Sequence, residues 1–303
     1  ENHWLGRVMM GVIKKHPEIV STFSPATVTA IDMSGDLRTV LIEQDNHMES
    51  TLMAPLVVMA DGGRSALRHE MGIDYREKAY QQHALVANVE IDRPHKGVAY
   101  ERFTEQGPIA LLPLETLEGR HRMGLVWTLA DEHINDRMNA SNTQFVRALQ
   151  SHFGYRAGRL VGVGERFSYP LKLTLADEQV RPGLVVLGNA AHSLHPIAGQ
   201  GFNLALRGVC ELAESIITAT QNGQRIGDLD RLTKFIDRRR RDQRRTIAFG
   251  EGALALFSSS NPMYRRGRSL VLQGLNMCAP ARTLLARAAM GLDTPAVRLN
   301  DDQ

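Results

Sequence analysis

The apolar stretch Leu184–Leu187 (LVVL) runs straight into Gly188-Asn189-Ala190-Ala191-His192-Ser193-Leu194-His195-Pro196-Ile197-Ala198-Gly199-Gln200-Gly201-Phe202-Asn203 and then into the helical pattern NLALRGVCELAESI. This run restricts the fold more than any other part of the chain. A strand without polar residues is buried on both faces, so it belongs to a sheet flanked by helices. The loop after it is rich in small residues, and the helix that follows begins near Phe202 with its free N–H groups directed outward. Such a helix start attracts anionic or carbonyl oxygens. Gly199 and Gly201 carry no side chain, which lets a flat ligand approach the backbone closely. Pro196 stiffens the approach. A delocalised ring that gains negative charge on reduction suits this place.

A second strand–turn–helix run lies earlier. Leu56–Ala60 is apolar and leads into Asp61-Gly62-Gly63-Arg64-Ser65-Ala66-Leu67-Arg68. It reads as a buried strand followed by a short helix over 65–71 closed by Gly72. Asp61 and Ser65 stand where they can cap the helix start, and Arg68 could face a phosphate. Between the two runs the pattern changes. Residues 84–91, 98–103, 109–114 and 122–129 read as strands of an antiparallel sheet, separated by Pro94, Gly97, Gly107 and Gly119, and residues 143–153 read as a helix. This is a different layer style and marks an inserted domain. Earlier still, 3–15 has apolar residues at helical spacing, and 26–33, 39–43 and 48–53 read as short strands joined by turns.

The 303 residues suffice for two domains. A net charge of +3 does not imply nucleic-acid binding. The two cysteines, Cys210 and Cys278, form no CxxC pair, so a reducing compartment fits, with a cytoplasmic location expected. No apolar run is long enough to cross a bilayer. His192 and His195 are three apart without a third ligand nearby, and no metal is expected. Gly250-Glu251-Gly252-Ala253-Leu254-Ala255 matches GxGxxA but follows an arginine-rich helical pattern instead of a buried strand, so it is not a dinucleotide fingerprint. Arg238–Arg241, with Arg244 and Arg245, read as a solvated helix face. The sharper alternative is contact with an anionic membrane surface. Leu270, Val271, Leu275, Leu284 and Leu285 continue a helical apolar pattern.

Gly188–Asn203 resembles the GDAAHxxxPxxGxGxN pattern of the flavoprotein aromatic hydroxylases, the family typified by para-hydroxybenzoate hydroxylase. Val57–Arg68 resembles the same family's GADGxxSxxR motif, with Met59 in place of the first Gly. Tyr100–Leu114 and His195–Leu204 are similar to the ubiquinone-biosynthesis branch. The resemblance implies an α/β fold: an FAD-binding Rossmann-like domain whose first βαβ unit is missing here, an inserted antiparallel-sheet substrate domain, and a helical C-terminal region. The boundaries it suggests are 1–78 with 155–220, then 79–154, then 221–303. It implies FAD and NAD(P)H as cofactors. It assigns FAD contacts to Asp61, Gly62, Asn189, Pro196, Gly199, Gly201, Phe202 and Asn203. Asn189 replaces the family's usual Asp, and an amide still accepts a hydroxyl hydrogen bond.

The activity so implied is hydroxylation of a polyprenylated phenol by molecular oxygen through a flavin C4a-hydroperoxide, with no protein nucleophile. Contact with the inner membrane or with a ubiquinone-biosynthesis complex would accompany it. Two rivals stand beside this reading. The first is an FAD-dependent halogenase or reductase of the same fold; a halogenase would carry WxWxIP, which the isolated Trp4 and Trp127 do not supply. A fragment or assembly subunit would bind a prenylated aromatic without turnover.

Overall fold

The computed structural model describes residues 2–45, 47–63, 66–104, 106–258 and 277–289. Arg64, Ser65, Leu270, Val271 and Leu275, named above, lie outside the described residues.

Helix α1 (Asn2–Ile13) leads into an antiparallel meander of β1 (Ala26–Asp32), β2 (Arg38–Gln44) and β3 (Met48–Ala54). The expected apolar stripe of α1 is present, but Trp4, Leu5, Val8, Met9 and Val12 are all exposed. The chain continues through β4 (Val57–Met59) and the one-turn helix α2 (Leu67–Glu70), with Gly72 left-handed just beyond.

Six strands form the largest sheet, in the order β12-β9-β5-β8-β7-β6. They are β5 (Tyr75–Ile91), β6 (Tyr100–Thr104), β7 (Gly107–Pro113), β8 (His121–Ala130), β9 (Leu160–Ala176) and β12 (His192–Ser193). Met123, Leu125, Trp127 and Leu129 alternate along β8 and are fully buried on one face, as a two-residue period requires. Two helices cover that face, α3 (Asp131–Asn139) and α4 (Asn142–Phe153). Ser141 and Gln144 start α4 by exchanging hydrogen bonds with each other's backbone in a capping box. Phe145, Leu149 and Phe153, four residues apart, form its buried stripe. Trp127 and Phe145 meet edge to face at 5.9 Å between ring centroids. Truncating such a buried tryptophan costs about 3–5 kcal/mol. Leu111 and Trp127 are core, whereas Leu112 points to the other, exposed face.

The antiparallel layer is wider than residues 79–154. β5 begins at Tyr75, and the long strand β9 lies wholly beyond 154 yet pairs with β5 along most of its length. Register shifts fall between Ala79 and His83 and between Ala87 and Val89. Pro170 stands opposite His83 at the first of these bulges, where the ladder tolerates a missing donor.

The third sheet is small, in the order β10-β11-β4, with β10 (Val180–Arg181) antiparallel and β4 parallel to β11 (Leu184–Val186). β11 is central and buried on both faces, as its composition requires. β4 departs from expectation. Among the described residues it pairs with β11 alone, and Val58 is 40% exposed.

Two long helices complete the layer, α5 (Gln200–Gln221) and α6 (Leu229–Ser258), followed by α7 (Ala279–Ala289). Val185 and Leu187 pack with Leu212 of α5 and with Leu232, Phe235 and Ile236 of α6. Gly250–Ala255 lies inside α6, so its glycines form no phosphate-binding turn. The arginine run is not one solvated face. Arg238, Arg240, Arg241, Arg244 and Arg245 are exposed, but Arg239 turns inward and is buried. Among the described residues no helix is long and apolar enough to cross a membrane.

Candidate functional site

The parallel pair β4/β11 brings both sequence motifs to one end of the small sheet. Leu187 N donates to Met59 O (2.9 Å), extending the pair to the last residue before each loop. Ligands in α/β sheets gather at such carboxyl ends. Beyond β4, Gly62 and Gly63 adopt left-handed φ values of 76° and 70°. Beyond β11, Gly188–Ala190 forms a 3-10 turn, His192–Ser193 joins the large sheet against Thr174 and Leu175, and Ile197–Gly199 forms a second 3-10 turn leading into α5. The two loops touch. A Cβ on Gly63 would lie 3.3 Å from Asn189 O, and Tyr75 Oη donates to Ala190 O (2.8 Å).

Asp61 does not cap α2, whose N-cap position is Ala66 without a side-chain bond. Asp61 Oδ1 accepts from Gly63 N (2.9 Å), which closes its own turn. The guanidinium of Arg68 stacks on Tyr75, 4.7 Å from the ring centroid.

At the start of α5, Gly199 holds a left-handed φ of 62° and lies at the N-cap. A Cβ on Gly199, Gly201 or Gly62 would meet no atom within 4 Å, so these backbones border open space. Asn189 is exposed, Pro196, Gly201 and Asn203 are half-buried, and Phe202 is 60% exposed. The turn from Pro196 to Asn203 is therefore not packed shut against protein. Asn189 and Gly199 sit on the loop that leads into α5, Gly201 lies in the first turn of that helix, and Asp61 and Gly62 belong to the loop after β4.

Behind the turn the polar groups are buried. His195 is 6% exposed; its Nε2 lies 3.4 Å from Gln82 Oε1, while Nδ1 has no partner among the described residues. Its ring meets that of Tyr80 edge to face at 5.1 Å. Tyr80 Oη donates to Glu251 Oε1 (2.6 Å), and Lys78 pairs with the same carboxylate. Burial, then the Glu251 carboxylate, pushes the Tyr80 phenol up. His192 is 4% exposed, and neither ring nitrogen has a hydrogen-bond partner among the described residues. Burial pulls both histidines down to about 4, so both are neutral near pH 7. No group of three His, Cys, Asp or Glu among the described residues could hold a metal ion.

Tyr80, Arg207 and Asp242 carry no motif in the sequence, Glu251 stands only within the rejected GxGxxA run, and Arg239 only within the arginine run. A signal was available for Arg239 and Asp242. Leu232, Phe235, Ile236, Arg239, Asp242, Gln243 and Thr246 recur at helical spacing, and the buried stripe of α6 simply changes from apolar to polar along its length.

The glycine turn at the start of α5 borders open space, and the amide of Asn189 beside it is exposed. The family described as FAD binding domain matches residues 5–247, and the chain belongs to that family. It is similar to ubiquinone hydroxylase UbiL of Rhodospirillum rubrum, 34% identical over 293 residues that cover 96% of this chain and 66% of that protein. It is also similar to the human mitochondrial ubiquinone biosynthesis monooxygenase COQ6, 30% identical over 268 residues covering 77% of this chain and 56% of that one. In fold it matches p-nitrophenol 4-monooxygenase PnpA of Pseudomonas putida with a TM-score of 0.69 at 18% identity, over 89% of this chain and 67% of that chain. The chain thus spans a little under two thirds of the UbiL protein and just over half of COQ6.

Proposed function

We propose that the chain carries the flavin-ring end of an FAD- and NAD(P)H-dependent monooxygenase that hydroxylates a polyprenylated phenol in ubiquinone biosynthesis. The observation that carries this reading is the open turn at the start of α5, bordered by glycines whose missing side chains leave room for a ring. When bound, FAD would supply reduction by NAD(P)H and activation of molecular oxygen, so no protein nucleophile is needed.

The chain's own residues bind and orient. Backbone N–H groups of Gly201, Phe202 and Asn203 would donate to a carbonyl edge of the bound group, helped by the positive end of α5. Gly199 and Pro196 would leave room for its ring. Asn189 would accept a hydrogen bond from a hydroxyl of its chain. Asp61 and Gly62 would support it through their closed turn. Neutral His195 would add a hydrogen-bonding nitrogen without adding charge. The name of UbiL, and that of COQ6, support the choice of pathway. Five exposed arginines of α6 suit a peripheral contact with an anionic membrane, where a polyprenyl tail resides.

Titration of the apoprotein with FAD, followed by visible absorbance and flavin fluorescence, tests the reading. Saturable binding, followed by bleaching of the flavin band by NAD(P)H under anaerobic conditions, is expected. Absence of saturable binding refutes it.

A further inference from the structure

Two arginines share one carboxylate beneath the turn. Asp242 of α6 is 7% exposed. Its Oδ2 accepts from Arg207 Nε of α5 (2.8 Å) and from Arg239 Nη1 (2.9 Å), and its Oδ1 accepts from Arg207 Nη2 (3.0 Å). Arg239 is 4% exposed, and its Nη2 also donates to the backbone carbonyl of Leu204 (2.6 Å), in the second turn of α5. Glu211 Oε1 stands 3.9 Å from Arg239 Nη1. The guanidinium fits there because residue 208 is glycine. A Cβ at that position would lie 3.1 Å from Leu187 Cδ1 and 3.2 Å from Arg239 Nε. Arg239 therefore touches α5 beside the last residue of the strand that precedes the loop. It also lines a small cavity with His192, Gln179 and Gln243.

Buried ion clusters are poor stabilisers. Replacing one with well-packed apolar side chains is often neutral or favourable, whereas removing one member is costly. A cluster retained at this junction has a geometric consequence: it fixes the rotation and height of α5 against α6 and Leu187. We propose that Arg239 and Asp242 are positioning residues that set the first turns of α5 in the pose from which its N–H groups reach a bound ring. The planar guanidinium of Arg239 holds Asp242 and Leu204 O at once, a two-point contact that an ammonium group cannot reproduce. The positioning of the turn rests on the hydrogen bonds above; its use for a flavin rests on the function just proposed.

The test separates stability from position. In the triple variant Arg207→Leu/Arg239→Met/Asp242→Leu, made in a Glu211→Gln background so that no carboxylate is left without its cation, the cluster becomes uncharged. Its melting temperature is expected to stay close to that of the parent. Amide hydrogen exchange at residues 204–208, whose N–H groups bond the carbonyls of the first turns of α5 and are measured without ligand, is expected to rise about tenfold or more, and FAD affinity to fall by about tenfold. Unchanged exchange at 204–208 overturns the proposal. Should the triple variant fail to fold, Arg239→Lys keeps the charge and loses the two-point contact. It is expected to raise exchange at 204–208 with little change in melting, and unchanged exchange there likewise overturns the proposal. If the parent itself takes up no FAD, the proposed function fails, while the exchange measurement still decides the role of the cluster.

Discussion

Gly201→Ala should make the protein slightly more stable and a worse flavin binder. Gly201 lies in the first turn of α5, where a Cβ would meet nothing within 4 Å. The fold therefore has no steric objection to a methyl group. Alanine in a helix is favoured over glycine by about 0.5–1 kcal/mol, and a first-turn position earns the lower end of that range. At about 0.5 kcal/mol the melting temperature rises by roughly 1–2 °C. The open space is also where the flavin ring is proposed to lie. A methyl group there forces the ring away from the backbone and breaks at least one amide-to-carbonyl hydrogen bond, worth about 0.5–1.5 kcal/mol. Lost van der Waals contact adds to this, and FAD affinity should fall by about tenfold. Differential scanning fluorimetry and flavin fluorescence titration on the same preparation read both effects. A rise in melting temperature with unchanged FAD affinity would refute the reasoning, because the ring could not then lie against Gly201.

Three further outcomes follow from the same geometry. Gly63→Ala forces a side chain into a left-handed backbone 3.3 Å from Asn189 O, and should lower stability by about 1–2 kcal/mol in urea unfolding; no change would mean the two loops do not touch as described. Asn189→Asp, at an exposed position, should tighten FAD binding severalfold, since a charged acceptor holds a hydroxyl about 1 kcal/mol better than an amide does; weaker binding would remove residue 189 from the ribityl contact. His192 and His195 titrate near 4 in the folded protein and near 6.5 when exposed. Between those values the unfolded chain binds more protons, so stability is fully present above about pH 7 and is lost as the pH falls toward 4. Going from pH 7 to pH 5 should cost about 2 kcal/mol per histidine, and a His192→Leu variant should show a flatter melting profile over that range; a parent protein equally stable at both pH values would contradict the burial of these rings.

Much of this was legible in the residues, and the gaps have physical causes. The apolar run at 184–187 identified a buried central strand because both faces had to avoid water. The same composition at 56–60 does not reveal that, among the described residues, β4 pairs with β11 alone. β9 was hidden by Gly162, Gly164 and Pro170, residues that ordinarily interrupt a strand and here sit at or near bulges against β5. The first half of β5, YREKAYQQH, is too polar to read as a strand, and its partner β9 makes it one. Helix α3 (DEHINDRMN) buries only Ile134 among its residues, so it carries no apolar period to find. In the site, the loop residues were visible because glycine, proline and asparagine act locally. Arg239 and Asp242 were not, because a charged residue reads as surface until a partner on another helix is known.

A crystal structure of the FAD complex tests the central claim most directly. The account predicts the carbonyl edge of the ring within hydrogen-bonding distance, about 2.7–3.2 Å, of backbone N–H groups in Gly201–Asn203, with Pro196 alongside. A flavin bound elsewhere, with that turn still facing open solvent, would contradict it.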